Sequence, residues 1–164
     1  MMEIAIRAAR AAGRVLREHR GRPQTIEQKL GQSTNLVTDI DRQAEELIIR
    51  TIKEQYPDHD FLAEESGDHQ RRSDYRWVID PLDGTTNFAH GLPLFCTSIG
   101  LEVRGRLELG VVYDPNLDEL FTAQRGGGAS LNGRPIRVST TSSLQESLLV
   151  TGFHYNIREN PSHA

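Results

Sequence analysis

Residues 76–91 read Arg-Trp-Val-Ile-Asp-Pro-Leu-Asp-Gly-Thr-Thr-Asn-Phe-Ala-His-Gly. They put two carboxylates, Asp80 and Asp83, at the mouth of an apolar strand, directly ahead of a Gly84-Thr85-Thr86 that can hold a phosphate. Pro81 fixes φ and is expected to end the strand, so that the chain turns and the two acids, three apart, face one side. Magnesium takes oxygen ligands at ~2.0–2.1 Å and keeps waters, which suits these acids together with a backbone carbonyl such as that of Leu82, and Asp80 can be shared by two cations. Gly84 lets the backbone approach an anion, and the N–H groups after it open a short helix aimed at that anion. The plainer alternatives are a turn with two surface acids, and a Thr85 or Thr86 that only caps a helix.

A second apolar segment delivers acids in the same way. Phe61-Leu62-Ala63 runs into Glu64-Glu65-Ser66-Gly67, and Glu64 is the candidate second source of metal ligands. Hydrolysis of a phosphate monoester needs an activated water, which a metal-binding carboxylate that also accepts a hydrogen bond from Thr85 can position and deprotonate. Glu65, on the opposite face of an extended segment, is solvated or salt-bridged in this reading. Asn35-Leu36-Val37-Thr38-x-x-Asp41 contributes Asp41, either as catalytic support or as part of a capping box begun by Thr38.

Other chemistry-bearing residues point elsewhere. The histidines at 19, 59, 69, 90, 154 and 163 show no zinc spacing. Cys96 sits in an alternating strand and reads as a buried structural thiol. Gly126-Gly127-Gly128 lacks the following Lys-Ser/Thr of a P-loop and reads as a turn between strands.

The elements that must hold these residues are helices first and strands afterwards. Ile4, Ala8, Ala11, Ala12 and Val15 recur at helical spacing and predict a helix over 2–20; Ala44, Leu47, Ile48, Thr51 and Ile52 predict a second, from about Thr38 to Tyr56-Pro57. From residue 61 the period becomes two: strands at 61–63 and 77–79, then a hairpin of Phe95–Val103 with Leu107–Tyr113 turning at Arg104-Gly105-Arg106. Leu120–Ala123 extends the sheet, Asn132-Gly133 marks a tight turn, and 147–151 is expected to be a last strand. The fold class is therefore α+β, helices packed on a largely antiparallel sheet.

Composition narrows the function classes. A chain of 164 residues is long enough for one good core, since domains of about 150 residues bury roughly 70% of their unfolded surface. A net charge of −4 leaves no basic footprint for direct nucleic-acid binding, and the arginines at 7, 10, 14, 17, 20 and 22 read as a solvated helix face. An anionic substrate would thus depend on cations at the site to reverse the local field. The single cysteine excludes an intrachain disulfide and favours the cytoplasm. No apolar run approaches the ~20 residues of a membrane span.

The segments Leu36-Val37-Thr38-x-x-Asp41, Glu64-Glu65-Ser66 and Trp77-Val78-Ile79-Asp80-Pro81-Leu82-Asp83-Gly84-Thr85-Thr86-Asn87-Phe88 resemble the inositol monophosphatase family, in a form similar to its bacterial extragenic suppressor type. The resemblance runs from the first helix to about residue 153. It implies magnesium-dependent hydrolysis of a small phosphorylated polyol, inositol monophosphate, to inositol and phosphate, with two or three ions. Glu64, Asp80 and the Leu82 carbonyl would bind one ion, and Asp80 and Asp83 a second. Leu82, Asp83, Gly84 and Thr85 would line the substrate and phosphate site, Glu64 and Thr85 would activate the water, and Asp41 would support it. The implied fold is a layered α-β-α-β-α sandwich of the inositol monophosphatase and fructose-1,6-bisphosphatase type, usually a homodimer.

Two departures accompany the resemblance. Ala63 stands where family members often carry glycine. The family's later Trp-Asp-x-Ala-Ala-Gly element, whose aspartate completes the second metal site, is absent from this sequence, whose only tryptophan is Trp77. The chain is therefore expected to be the amino-terminal, metal- and phosphate-binding half, a single domain over 1–164. Alternatives within the class are fructose 1,6-bisphosphate, adenosine 3′,5′-bisphosphate or histidinol phosphate as substrate. A non-catalytic interaction fragment is the alternative outside it.

Overall fold

The computed structural model describes residues 1–21, 26–28, 36–69 and 73–150. Helix α1 (Met2–His19) buries Ile4, Ala5, Ala8, Ala9, Ala12, Gly13 and Leu16 along one stripe. A short ribbon pairs β1 (Ile26–Gln28) with β2 (Leu36–Thr38). Helix α2 (Asp39–Lys53) follows at once and buries Ile40, Asp41, Ala44, Glu45, Ile48, Thr51 and Ile52. The small residues of the α1 stripe allow close packing: a Cβ on Gly13 would lie 2.6 Å from the Tyr113 ring.

An eight-stranded sheet carries the rest, in the order β10-β9-β8-β7-β6-β5-β3-β4. Its strands are β3 (Asp60–Ala63), β4 (Gly67–His69), β5 (Tyr75–Asp83), β6 (Cys96–Val103), β7 (Arg106–Asp114), β8 (Glu119–Gln124), β9 (Gly128–Leu131) and β10 (Arg134–Ile136). Every pairing in it is antiparallel except β3 with β5. Alternation sends one face of each central strand to the helices, and the register lines these residues up in rows: Phe61, Trp77, Leu101 and Leu109, then Ala63, Ile79, Ile99 and Val111. All eight are buried. This is the α+β architecture expected, with the two long helices over a largely antiparallel sheet. Among the described residues no helix is long and apolar enough to cross a membrane.

Turn chemistry follows the residues. Arg104-Gly105 and Asn132-Gly133 take φ values of 53 and 73°, and 50 and 78°, the paired positive values that match strand twist in two-residue hairpins. Gly126 and Gly128 supply φ of 71 and 81° between β8 and β9, as the glycine run implied.

Two expectations are corrected. Pro81 does not end its strand: β5 continues to Asp83, with a register shift between Asp80 and Asp83. The proline cannot donate a ladder bond, so the strand accommodates it in a bulge, where its carbonyl instead accepts the Thr97 hydroxyl at 3.0 Å. Residues 147–150 of the expected last strand are in no strand, and residue 151 lies outside the described residues. Leu148 and Val150 are 100% and 99% exposed, and among the described residues no strand lies beside them to pair with.

One aromatic group braces the start of β5. The Trp77 indole N–H donates to His59 Nδ1 at 3.0 Å. The His59 ring is itself stacked between Tyr56 and Tyr75, with centroids 4.7 and 4.6 Å away.

Candidate active site

Because β3 and β5 run parallel, their carboxyl ends emerge side by side. Ala63 is in register with Ile79, and the Glu64 N–H donates to the Ile79 carbonyl at 3.1 Å. Glu64 and Asp80 therefore leave the sheet as neighbours, and their carboxyl groups hydrogen-bond each other. Asp80 is pushed up to about 8, by burial first, then by the Glu64 charge and hydrogen bond and by the Asp83 charge; the Leu82 N–H opposes the shift. That N–H reaches Asp80 Oδ1 at 3.2 Å, fixing the carboxyl inside the bulge.

Asp83 is exposed at the end of the bulge, and the Cys96 thiol donates to its Oδ2 at 3.8 Å. Burial, followed by the Asp83 and Asp80 charges, pushes the Cys96 thiol up to about 12; it is half-buried against the site, not the fully buried structural thiol expected. A cavity of about 340 Å³ opens here, walled by Asp83, Gly84, Asn87, Leu94, Cys96 and Asp114 among others.

Gly84 turns the chain with φ of 97°, and a Cβ there would meet the Leu94 carbonyl oxygen at 2.8 Å. It is also the N-cap of the short helix α3 (Thr85–Ala89). Neither threonine is the cap, so the capping alternative falls for both. The first-turn N–H groups of a helix have no partner within it, and here they follow directly on Asp83. The Thr85 hydroxyl lies 3.0 Å from both Asp41 Oδ1 and the Leu82 carbonyl oxygen; its single hydrogen serves one of them at a time.

Helix α2 brings Asp41, 1% exposed, to that hydroxyl. The side chain of Thr38, the other half of the suggested capping box, is outside the described residues. One helical turn further on, Glu45 is 3% exposed. Its Oε2 and Oε1 accept the Glu65 and Ser66 N–H groups at 2.7 and 2.9 Å. The sequence reading missed Glu45. The available signal was its i, i+4 spacing from Asp41, which puts both acids on one face.

The structure thus brings Asp41, Glu64, Asp80, Leu82, Asp83, Gly84 and Thr85 to one edge of the sheet. Among the described residues no three His, Cys, Asp or Glu side chains are gathered in a geometry that could hold a metal ion. The donors nevertheless fit a hard divalent cation: they are all oxygen, and the Asp80 and Glu64 carboxyls lie against each other near Asp83, a crowding of acids that a cation relieves.

A helical layer on a mixed sheet, with acids gathered where two parallel strands end beside a Gly-Thr turn, has the plan of a phosphatase fold. The chain belongs to the inositol monophosphatase family, whose description matches residues 1–164. It is 53% identical over 156 residues to the inositol-1-monophosphatase of Synechocystis, covering 94% of this chain and 54% of that protein. It is 48% identical over 160 residues to the Nus factor SuhB of Salmonella typhimurium, covering 97% of this chain and 60% of that one. The solved inositol monophosphatase of Anabaena superposes with a TM-score of 0.83 at 46% identity, over 98% of this chain and 58% of that one. The chain therefore spans 54–60% of the length of these relatives.

Proposed function

We propose that the chain carries the metal- and phosphate-binding part of a phosphomonoesterase whose substrate is inositol monophosphate. The observation that supports this best is the meeting of Glu64 and Asp80 at adjacent strand ends, with Asp83 and the Gly84-Thr85 turn next to them. In this reading Glu64, Asp80 and the Leu82 carbonyl hold one Mg2+, and Asp80 and Asp83 a second. The bound cations would polarise the phosphoryl oxygens and lower the pKa of water.

The chain's own residues do the rest. The backbone at Gly84 and Thr85 cradles the phosphate, and Asp83 meets the substrate beside it. Glu64 takes the proton of the attacking water, whose oxygen adds to phosphorus in line as the ester P–O bond breaks and the leaving alkoxide collects a proton. Asp41 fixes the Thr85 hydroxyl, which orients that water. The substrate is proposed as a small phosphorylated polyol, the working unit as a homodimer, residues 1–164 as one domain, and the compartment as the cytoplasm.

Phosphate release from myo-inositol 1-phosphate, with and without Mg2+, tests the reading. Asp80→Asn and Glu64→Gln are expected to abolish Mg2+-dependent release, and unchanged turnover in either would sink the assignment. A second reading, a binding role without turnover, draws on relatives named as Nus factors and on the exposed Leu148 and Val150. Calorimetry separates the two: at least two Mg2+ events support the enzyme, and no binding supports the partner role.

A further inference from the structure

Glu45 has no part in the reaction proposed above, yet it is as deeply buried as Asp41. Its carboxylate receives two consecutive backbone N–H groups, at 2.7 and 2.9 Å, the charge-assisted geometry in which a buried acid is well satisfied. The Glu64 N–H just before them is tied to Ile79 at 3.1 Å. Three successive amides are therefore anchored, the first to β5 and the next two to α2, and Gly67 at φ of 80° closes the turn.

We propose that Glu45 is a positioning residue for Glu64: by clamping the amides of Glu65 and Ser66 it holds the turn that keeps the exposed Glu64 side chain on Asp80. The proposal rests on the role given to Glu64 under the phosphatase reading. Two features favour positioning over packing. Helix α2 already docks through Ala44, Ile48 and Ile52, each fully buried, so an apolar residue at position 45 would serve the core without burying a charge. Also, both oxygens are used on the one short segment that carries a site residue. Together Asp41 and Glu45 make α2 a two-point guide, one acid for the Thr85 turn and the next for the Glu64 turn.

The test compares wild type, Glu45→Gln and the exposed-neighbour control Glu46→Gln by Mg2+ calorimetry, melting curves and amide hydrogen exchange. A residue that orients a ligand from behind typically costs 10–100-fold in metal affinity when altered. Glu45→Gln should therefore bind Mg2+ at least about tenfold more weakly while still folded, with faster exchange at the Glu65 and Ser66 amides, and Glu46→Gln should stay within about twofold of wild type. Mg2+ affinity of folded Glu45→Gln within twofold of wild type overturns the proposal, as does unchanged exchange at those two amides. If wild type takes no Mg2+, the phosphatase reading falls, and the exchange result alone decides the clamp. If Glu45→Gln does not fold, Glu45→Asp, one methylene too short to hold both amides, takes its place with the same expected losses; failure of both to fold assigns Glu45 to stability and overturns the positioning role.

Discussion

The turn after β5 and the turn after β3 both lift acids off the ends of neighbouring parallel strands, but they are restrained differently. The β5 turn is held by several separate contacts. The Pro81 carbonyl accepts the Thr97 hydroxyl, the Leu82 N–H donates to Asp80, and only glycine at 84 leaves room for the Leu94 carbonyl. Thr85 then returns to the Leu82 carbonyl. The β3 turn is the loop of the β3–β4 hairpin, with Ala63 opposite Gly67, and its Glu65 and Ser66 amides are both gripped by one side chain, Glu45. The first kind of turn needs a particular run of residues, whereas the amides of the second ask only for a well-placed acid.

The largest effect should be the same at both turns. Glu64→Gln is expected to lower Mg2+-dependent phosphate release by about 10²–10⁴-fold, the range for loss of a positioned acid–base group, and Asp80→Asn, which removes a ligand shared by both cations, by at least as much; steady-state assays would break the pairing if only one turn mattered.

The glycines should then separate the turns. At Gly84 an alanine meets both a left-handed φ of 97° and the Leu94 oxygen at 2.8 Å, while at Gly67 it meets φ of 80° and nothing within 4 Å. Gly67→Ala should cost about 1 kcal/mol of backbone strain and Gly84→Ala about 2–3 kcal/mol or more, read from urea midpoints. Equal losses would mean that the β5 turn is not the more constrained.

Smaller still is removal of one hydroxyl from the β5 turn. Thr97 is fully buried, so Thr97→Val should cost about 1–2 kcal/mol through the orphaned Pro81 carbonyl. That loss should come with little change in Mg2+ affinity if the other restraints suffice.

The smallest effect lies at the entrance to β5. Burial lowers the His59 pKa, against the raising charges of Asp58 and Asp60 and with a small further lowering from the amino terminus. The unfolded chain then binds the proton more readily than the folded one. The His59 contribution to stability should be full above pH 6.5 and fade as the pH drops from there through the lower folded value; the raised Asp80 carboxyl gives the opposite slope, stability falling as the pH rises towards 8, and only that slope should remain in His59→Gln. Urea titrations across pH 5–8 of wild type and His59→Gln measure it by difference, and identical profiles in the two would remove His59 as a pH-sensitive brace.

The same contrast explains what could be read in advance. Asp80, Pro81, Leu82, Asp83, Gly84 and Thr85 are consecutive, so their types and order carried the site, and period-two alternation carried the strands that bear it. The continuation of β5 past Pro81 was hidden because only a partner strand reveals a bulge: Asp80 pairs Ser98, and pairing resumes at Asp83 with Cys96. Glu45 was hidden because helical periodicity marks apolar residues, and this acid is buried next to Ala44 for reasons supplied by a segment twenty residues later. The strand expected over 147–151 failed on the same ground: its residues suit a strand, but pairing is a property of neighbours.

Trp77 is the only tryptophan of the chain, and it is fully buried, with its ring nitrogen on His59. Optically, that makes the molecule a single-fluorophore system whose emitter sits on the strand that carries Asp80. Its emission should lie to the blue and be quenched when the imidazole takes a proton, so that the packing at the base of the site can be followed without a label.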